Sequence, residues 1–283
     1  MFPTTADRRT AQPPEALLTR TVRLCVNPDG SSDGANGYAG RPAMRGLGRY
    51  YELTATVRGV PDPRTGYVIS IHDVDDPIRA SVTPAIERAC RERPTAEPAG
   101  LMTELWDLAA AALPARLERL AWALTPTYKV EMSVSDRSSG RVVIRQRFDF
   151  AASHRLHSPA LTDDENRRVF GKCNNPGGHG HNYRIEAAVS VPAGPDPFPL
   201  AALEQAVEEA VLAPFDHKHL NTDTPEFDTA RGGVIPSVEH IAMVCHARLA
   251  GPVRALREGA ELAEVTVWET DRTSCTYPAH APA

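Results

Sequence analysis

His179 and His181 form a His-x-His pair in the second half of the chain. If this segment enters a β-strand, residues two apart leave the same face, so both imidazoles point to one place. His154 follows an alternating run, 147–152, that could lie antiparallel to this strand and supply a third imidazole. Three nitrogen ligands with a vacant fourth position are typical of catalytic zinc, whereas structural zinc is closed by four protein ligands. The pattern therefore predicts an open zinc site.

Histidines two apart are also common as solvated or core residues, and that alternative stays open for the pair taken alone. Two features of the surroundings favour ligation. Gly177, Gly178 and Gly180 allow a close approach of the backbone. Nine of the ten histidines lie in the second half of the chain, an asymmetry that a purely structural role leaves unexplained.

Four segments of the second half, two of which contain these three histidines, resemble a known family. They are, in chain order, Phe150–Ser158, Phe170–Tyr183, Phe215–Leu220 and Trp268–Thr270. Together they closely resemble the 6-pyruvoyl-tetrahydropterin synthase family, which includes the bacterial 6-carboxy-tetrahydropterin synthases of queuosine biosynthesis. The resemblance covers roughly residues 148–277. It implies the tunnelling fold, in which small α+β units assemble side by side into a barrel, and a homo-oligomer whose composite active sites lie at subunit contacts.

The resemblance also implies a role for each matching residue. It makes His154, His179 and His181 the zinc ligands, Cys173 the general base, Asp216 and His217 the rest of a proton relay, and Glu269 the anchor of the pterin ring. A thiol becomes an effective base when a nearby metal or imidazolium lowers its pKa toward neutrality. A carboxylate can accept two hydrogen bonds from a flat pterin. The implied reaction is the elimination of triphosphate from 7,8-dihydroneopterin triphosphate.

Each of these residues has a simpler alternative. Cys173 could be an inert buried cysteine, although its Asn-Asn-Pro-Gly-Gly loop is a poor core environment. Asp216 and His217 could cap or end a helix. Glu269 stands in a strand-like run, where Glu is disfavoured, so a buried function and an exposed edge are both open.

The chain departs from the family pattern where a helix is expected to begin. Family members often have Thr-Glu-Asn there, and this chain has Ser237 followed by Val238. Ser237 keeps a hydroxyl for the pterin, but Val238 offers only its backbone. The five residues between Cys173 and His179 resemble the 6-pyruvoyl branch, since many queuosine-pathway members place the Cys closer to the His. The product, 6-carboxy- or 6-pyruvoyl-tetrahydropterin, is left open.

The elements that position these residues occur twice, because the two halves can be laid on one another. Gly46–Tyr51 matches Gly178–Tyr183, Glu104 matches Glu239 at the start of a helix, and Val130–Arg137 matches Val265–Arg272. Each half is expected to run strand, strand, helix, helix, strand. The fold class is therefore α+β, as two tandem tunnelling-fold units that each have an antiparallel sheet with helices on one face.

The predicted boundaries are a disordered tail at 1–16, a synthase-like repeat at 17–140 and a catalytic repeat at 141–283. In this alignment the first repeat has Leu47, Arg49 and Val134 where the second has its two paired histidines and its glutamate. It cannot build the zinc or pterin site. We expect it to be a degenerate copy that is kept for assembly.

Composition restricts the partners and the compartment. The 283 residues are 42% hydrophobic and 24% charged with a formal net charge of -5, which suits a globular protein and gives no basic excess for nucleic acid. The sequence lacks an apolar run long enough for a membrane span or a signal peptide, so we expect a cytoplasmic protein with no membrane partner. Five scattered cysteines predict reduced thiols.

Three functions compete at this stage. The first is the zinc-dependent lyase described above. The second is a pterin-binding or scaffold member of the same family that has lost turnover, as the degenerate repeat and Val238 suggest. The third is an unrelated metal hydrolase, in which zinc would ionise water and a residue other than Cys173 would act as base.

Overall fold

A computed structural model describes residues 14–279, which fall into two units. Unit 1 takes residues 14–125 and 130–140, and unit 2 takes residues 126–129 and 141–279. Most of the predicted disordered tail lies outside the described residues. The first strand begins at Ala16, one residue before the predicted start of structure.

Unit 1 is a strand pair followed by helices and further strands. Its elements are β1 (Ala16–Val26), β2 (Arg49–Gly59), α1 (His72–Pro77), a π-helical turn (Ile78–Val82), α2 (Thr83–Glu92), α3 (Pro98–Ala112), β3 (Arg116–Ala123), β4 (Tyr128–Ser133, where the unit boundary falls) and α4 (Val134–Ser139). β2 lies between β1 and β3 and is antiparallel to both.

Unit 2 carries the predicted site residues. Its elements are β5 (Arg141–His154), α5 (Asp163–Phe170), a 3-10 turn (Gly171–Asn174), β6 (His179–Pro192), α6 (Leu200–Val207), a π-helical turn (Glu208–Leu212), α7 (Ala213–Phe215), β7 (Lys218–His219), α8 (Leu220–Asp223), a 3-10 turn (Thr229–Arg231), α9 (Val238–Leu256), β8 (Glu261–Thr270) and β9 (Thr273–Tyr277). The strand order is β5-β6-β8-β9, all antiparallel, and β7 pairs with β5 in parallel. The predicted α+β class is confirmed.

The core of unit 2 forms between its sheet and α9. Ile241, Cys245, Leu249 and Val253 are spaced four residues apart on α9, so they share one helix face, and all four are buried. On β6, Tyr183 and every residue from Ile185 to Val191 are buried as well. The helix therefore lies against the β8 and β9 part of the sheet.

The two units share an element order and an irregularity. In each, two strands are followed by a helix with a π-helical turn, by another long helix and by two strands. The ladder register shifts between Thr56 and Val57 in β2 and between Ala188 and Val189 in β6. These positions are 132 residues apart, the same separation as Gly46 from Gly178.

Strand pairing corrects one part of the predicted alignment of the two halves. β3 is the strand beside β2, as β8 is beside β6, because Glu52 pairs with Ala123 and Arg184 pairs with Trp268. The counterpart of β8 is therefore β3, and the prediction that Val130–Arg137 corresponds to Val265–Arg272 is wrong. The residue of unit 1 that corresponds to Glu269 is Leu124 and not Val134.

Local capping explains the error. Ser133 and Asp136 form a capping box in which each side chain accepts a hydrogen bond from the other residue's backbone N–H, so Val134 begins α4 and leaves the strand. Gly140 ends this helix with a φ of 66°. Glu104 was expected to open a helix but lies inside α3, which begins six residues earlier at Pro98.

Within residues 14–279, none of the helices combines the length and the apolar character needed to cross a bilayer.

A buried asparagine holds the connection between β5 and α5. The Asn166 side chain accepts a hydrogen bond from the backbone N–H of Ser158 at 2.7 Å and donates to the carbonyls of Ser158, Leu161 and Thr162 at 2.9 to 3.1 Å. Four hydrogen bonds to one amide group therefore hold the loop that runs from His154 to α5. The turn that carries Cys173 directly follows this helix.

We expect Asn166→Ala to lower the free energy of unfolding by about 2 kcal/mol, because it removes a buried side chain and its four hydrogen bonds to the part-buried backbone of this loop. Urea unfolding followed by circular dichroism measures the change. Arg168→Ala, an exposed position on the same helix, is the control and should shift the value by less than about 0.5 kcal/mol. Equal stability of the two variants would contradict the role assigned to Asn166.

Candidate active site

Three histidines meet where β5 ends and β6 begins. The strand register pairs His154 with His179 and Ala152 with His181, so the three rings leave one face of the sheet. Each ring offers one nitrogen to a common point, and these atoms lie within 4.8 Å of one another. The structure thus brings together the three residues predicted from the sequence.

A backbone carbonyl fixes the tautomer of His154. This buried ring places Nδ1 at 2.6 Å from the Pro236 carbonyl oxygen. A carbonyl only accepts, so Nδ1 carries the proton and Nε2 keeps a lone pair. That Nε2 lies 3.2 Å from Nε2 of His179. Two ring nitrogens facing each other in this way are suited to share a cation.

Glu269 lies against the same nitrogens. Its Oε1 is 3.2 Å from His154 Nε2 and 3.5 Å from His181 Nε2. A hydrogen bond from His154 and the positive charges of the imidazoles, both present only when the rings are protonated, lower the pKa of Glu269, against the opposing effect of burial. The carboxylate predicted to hold a pterin ring is thus also within reach of a metal on the histidines.

Electrostatics favours neutral rings on β6. Burial lowers the pKa of His179, and the charges of His154 and His181 lower it further. Burial also lowers the pKa of His181, while Glu269 partly opposes the shift. His181 Nε2 is buried and has no hydrogen-bond partner among the described residues. Neutral, unpartnered imidazole nitrogens are the form that binds a divalent metal.

Cys173 lies on the short 3-10 turn after α5. Its carbonyl accepts a hydrogen bond from the N–H of Leu156 at 2.9 Å, and the Asn174 side chain donates to the carbonyl of Leu156 at 2.7 Å. The turn is thereby tied to the residues that directly follow His154. Burial raises the pKa of Tyr183, and the charges of Glu269 and Cys173 raise it further. The Tyr183 hydroxyl lies 3.3 Å from His154 Nδ1.

Asp216 and His217 form a bonded pair. Asp216 Oδ1 accepts the N–H of Ala151 at 2.8 Å, and Oδ2 lies 2.7 Å from His217 Nδ1. The Ala151 and His217 hydrogen bonds lower the pKa of the Asp216 carboxyl. His217 has a φ of 57°, and its backbone N–H donates to the Ala151 carbonyl. The carboxylate therefore orients the ring through Nδ1 and leaves Nε2 to exchange protons.

The structure does not bring His217 to the three-histidine cluster. Its side chain is 83% exposed, and in residues 14–279 its ring is bonded to Asp216 alone. It lines a groove of about 620 Å³ together with Gly180, His181 and Lys218. The relay pair thus faces open space beside the cluster.

Ser237 and Val238 begin α9 beside the cluster. They directly follow Pro236, the residue whose carbonyl holds His154. The Ser237 hydroxyl accepts the N–H of His240 at 3.4 Å as an N-cap, and Val238 is buried. The N-terminal end of this 19-residue helix, with its positive dipole, therefore lies at the site.

Sequence reasoning gave no role to two groups that contact His154. Tyr183 continues the alternation of His179 and His181 along β6, so the period of two was a signal for its position. The contact of the Pro236 carbonyl with His154 could not be predicted, because a backbone atom makes it and no residue type marks such a contact in the sequence.

Gly178 sits where the chain enters β6 with a φ of 71°. A Cβ there would come within 2.8 Å of His219 Nε2 and 2.9 Å of the His154 carbonyl oxygen. Only glycine, which has no Cβ and adopts a positive φ without strain, fits this close contact with His154 and His219.

Known proteins match unit 2. The family model for 6-pyruvoyl tetrahydropterin synthase matches residues 143–280. The human 6-pyruvoyl tetrahydrobiopterin synthase is 40% identical over 139 residues, which are 47% of this chain and 89% of that protein. A putative Caenorhabditis elegans 6-pyruvoyl tetrahydrobiopterin synthase is 35% identical over 141 residues, 48% of this chain and 94% of that protein.

Among solved structures, the Caenorhabditis elegans 6-pyruvoyl tetrahydropterin synthase has 30% sequence identity and a TM-score of 0.42, and the match covers 50% of this chain and 96% of that one. The sequence matches span nearly the whole length of the relatives, and the resemblance found in the sequence is confirmed. The chain therefore belongs to the 6-pyruvoyl tetrahydropterin synthase family of enzymes.

Proposed function

We propose that unit 2 is a zinc-dependent lyase that eliminates triphosphate from 7,8-dihydroneopterin triphosphate to give 6-pyruvoyl-tetrahydropterin. The observation that carries the proposal is the convergence of three imidazole nitrogens within 4.8 Å beside the turn that bears Cys173. The names of the relatives support the 6-pyruvoyl product. The five residues between Cys173 and His179 point the same way. The 6-carboxy product of the queuosine branch is the alternative.

The donor set suits zinc. Neutral imidazole nitrogens from His154, His179 and His181 are ligands that zinc prefers, and three of them leave a position open for substrate. A zinc ion held there would polarise a substrate oxygen and make the neighbouring C–H more acidic.

The side chains around this centre then divide the proton transfers. Cys173, as thiolate, takes a proton from the hydroxyl-bearing carbon next to the pterin, so that this carbon becomes a carbonyl while the ring C=N bond takes up the two hydrogens it loses. A second proton is then lost from the neighbouring hydroxyl-bearing carbon, triphosphate leaves from the carbon beyond it, and the resulting enol becomes the second ketone. His217 returns a proton through Nε2 while Asp216 holds its Nδ1 at 2.7 Å.

The exposed position of His217 supports a composite site. Its ring projects into an open groove and is not bonded to the three-histidine cluster. We propose that the chain is a homo-oligomer in which this relay pair completes an active site with another chain.

We propose that Glu269 accepts two hydrogen bonds from the pterin, with Ser237 and the Val238 backbone at the edge of the same pocket. The carboxylate has an ionised, half-buried setting, which suits bidentate recognition of ring N–H groups. Its contact with His154 at 3.2 Å means that the pterin would be held close to the metal.

We also propose that unit 1 is a diverged copy of unit 2, with residues 17–140 as one repeat and 141–283 as the other. The shared element order and the equivalent ladder irregularity support this relation. Arg49 stands in unit 1 where unit 2 has His181, so unit 1 lacks the metal ligands.

A pterin-binding or scaffold protein without turnover is the second candidate. Val238 favours it, because this buried side chain offers substrate only a backbone contact.

Metal analysis tests the centre. We expect about one zinc per chain in the purified protein and loss of most of it in His179→Ala and His181→Ala, because each variant removes one of three ligands. His72→Ala, an exposed histidine of unit 1, is the control and should keep the metal. Full zinc content in both ligand variants would rule out this centre.

Product analysis tests the reaction. With zinc and 7,8-dihydroneopterin triphosphate, we expect the protein to release triphosphate and a pterin with the mass of 6-pyruvoyl-tetrahydropterin. Cys173→Ala should lower kcat about 100- to 10,000-fold at unchanged zinc content, because it removes the base. Cys275→Ser is the matched thiol control.

The other candidate functions give different results in this assay. Bound pterin without release of triphosphate supports the scaffold. Full turnover by Cys173→Ala indicates a metal hydrolase with another base.

The role of Glu269 is tested by Glu269→Gln. We expect the KM for substrate to rise about 10- to 100-fold with zinc retained, because an amide cannot accept both ring hydrogen bonds. Glu261→Gln, an exposed carboxylate on the same strand, is the control. Loss of zinc with an unchanged KM would instead assign Glu269 to the metal.

A further inference from the structure

Unit 1 contains a small pocket that the proposed reaction does not use. Its volume is about 110 Å³, and it lies among β2, α2, the start of α3 and the end of β3. Six residues define its character: Arg49, Tyr51, Cys90, Arg93, Leu101 and Trp122.

Trp122, which lines this pocket, carries a buried donor without a partner. Trp122 is only 3% exposed, and its Nε1 has no hydrogen-bond partner among the described residues. An indole N–H can only donate. Leaving such a donor buried and unbonded is unfavourable by about 1–3 kcal/mol. An acceptor atom of a ligand in the pocket would remove that penalty.

The other polar groups of the pocket can also donate, although the Tyr51 hydroxyl and the Cys90 thiol can accept as well. Hydrogen bonding to Cys90 and Tyr51 raises the pKa of the Arg49 guanidinium. The Tyr51 hydroxyl lies 3.8 Å from the Cys90 thiol. Arg93 adds a second guanidinium, which also contacts Glu104 at 3.5 Å. Within the described chain, no Asp or Glu lines the pocket. Two cations and a set of donors without a lining carboxylate attract an anion.

Volume and shape restrict the anion. A water molecule takes about 30 Å³, so 110 Å³ holds the equivalent of about three or four waters. Pockets for drug-sized ligands are several times larger, which excludes a pterin. The Tyr51 and Trp122 rings meet edge to face with centroids 5.4 Å apart, and Leu101 adds an apolar wall. A short carboxylate fits this combination of apolar wall and convergent donors.

Strand register sets this pocket in relation to the metal site. Arg49 and Tyr51 of β2 occupy the positions that His181 and Tyr183 occupy in β6, counted from the equivalent ladder irregularities. These two strand positions thus place a predicted metal ligand and its neighbouring tyrosine in unit 2, and an arginine and a tyrosine that can donate hydrogen bonds in unit 1.

We propose that this pocket binds a small carboxylate, with one oxygen on Trp122 Nε1 and its charge facing Arg49. The site is independent of the elimination reaction and of zinc. Bound carboxylate covers Cys90, so occupancy is measurable as protection of that thiol.

The test uses the full chain with sodium acetate as the probe, at an ionic strength held constant with sodium chloride. Peptide mass spectrometry follows the rate at which iodoacetamide alkylates Cys90. We expect acetate to slow this alkylation saturably and to leave Cys275, which lies in unit 2, unaffected. A linear effect, or equal slowing of both thiols, would overturn the proposal.

Variants identify the donors. Trp122→Phe keeps an aromatic ring but removes the N–H, and we expect it to weaken acetate protection about 10- to 100-fold. Arg49→Gln should weaken it comparably, and because Arg49 is exposed, this variant tests the site even if Trp122→Phe unfolds. Trp106→Phe, a buried tryptophan on α3 that does not line the pocket, is the matched control. Wild-type protection in Arg49→Gln and in folded Trp122→Phe would refute the site.

Discussion

The antiparallel pairing of β5 with β6 is the constraint on which the site depends. It sets His154 opposite His179 and leaves His181 on the same face. A slip of one residue would turn every ring of one strand to the other face of the sheet. The pairing of β6 with β8 then brings Glu269 to the same nitrogens. The geometry of the three-histidine cluster is therefore a property of strand register, and the function proposed for unit 2 adds Cys173, Asp216 and His217 from the segments around it.

Local periodicity made the histidines predictable, because a spacing of two determines a strand face without any knowledge of the rest of the fold. The same rule extends to Tyr183, which sequence reasoning left without a role. Groups brought in from distant elements could not be found in this way. The Pro236 carbonyl selects the tautomer of His154 through a backbone atom, and no residue type signals that contact.

The α+β class and its antiparallel sheet were predictable from alternating runs and turn residues. The correspondence between the last strands of the two sequence halves was not. Similar strand patterns suggested that Val130–Arg137 corresponds to Val265–Arg272. A capping box of two short side chains, Ser133 and Asp136, decides the local structure instead, and it diverts the chain into α4. Only strand pairing shows that Leu124 is the counterpart of Glu269. Side-chain competition for backbone groups outweighed the strand pattern there.

The positive φ of His217 limits the residue types that this position can accept without backbone strain. With a φ of 57°, the position favours glycine, and among other residues it tolerates asparagine, aspartate and histidine best. Of these four, histidine alone has a side chain that both gains and loses a proton near neutral pH. Histidine is therefore the residue that meets both the left-handed backbone and the proton transfer proposed for this position. Drift at this position would pass through residues that fit the chain but cannot carry a proton.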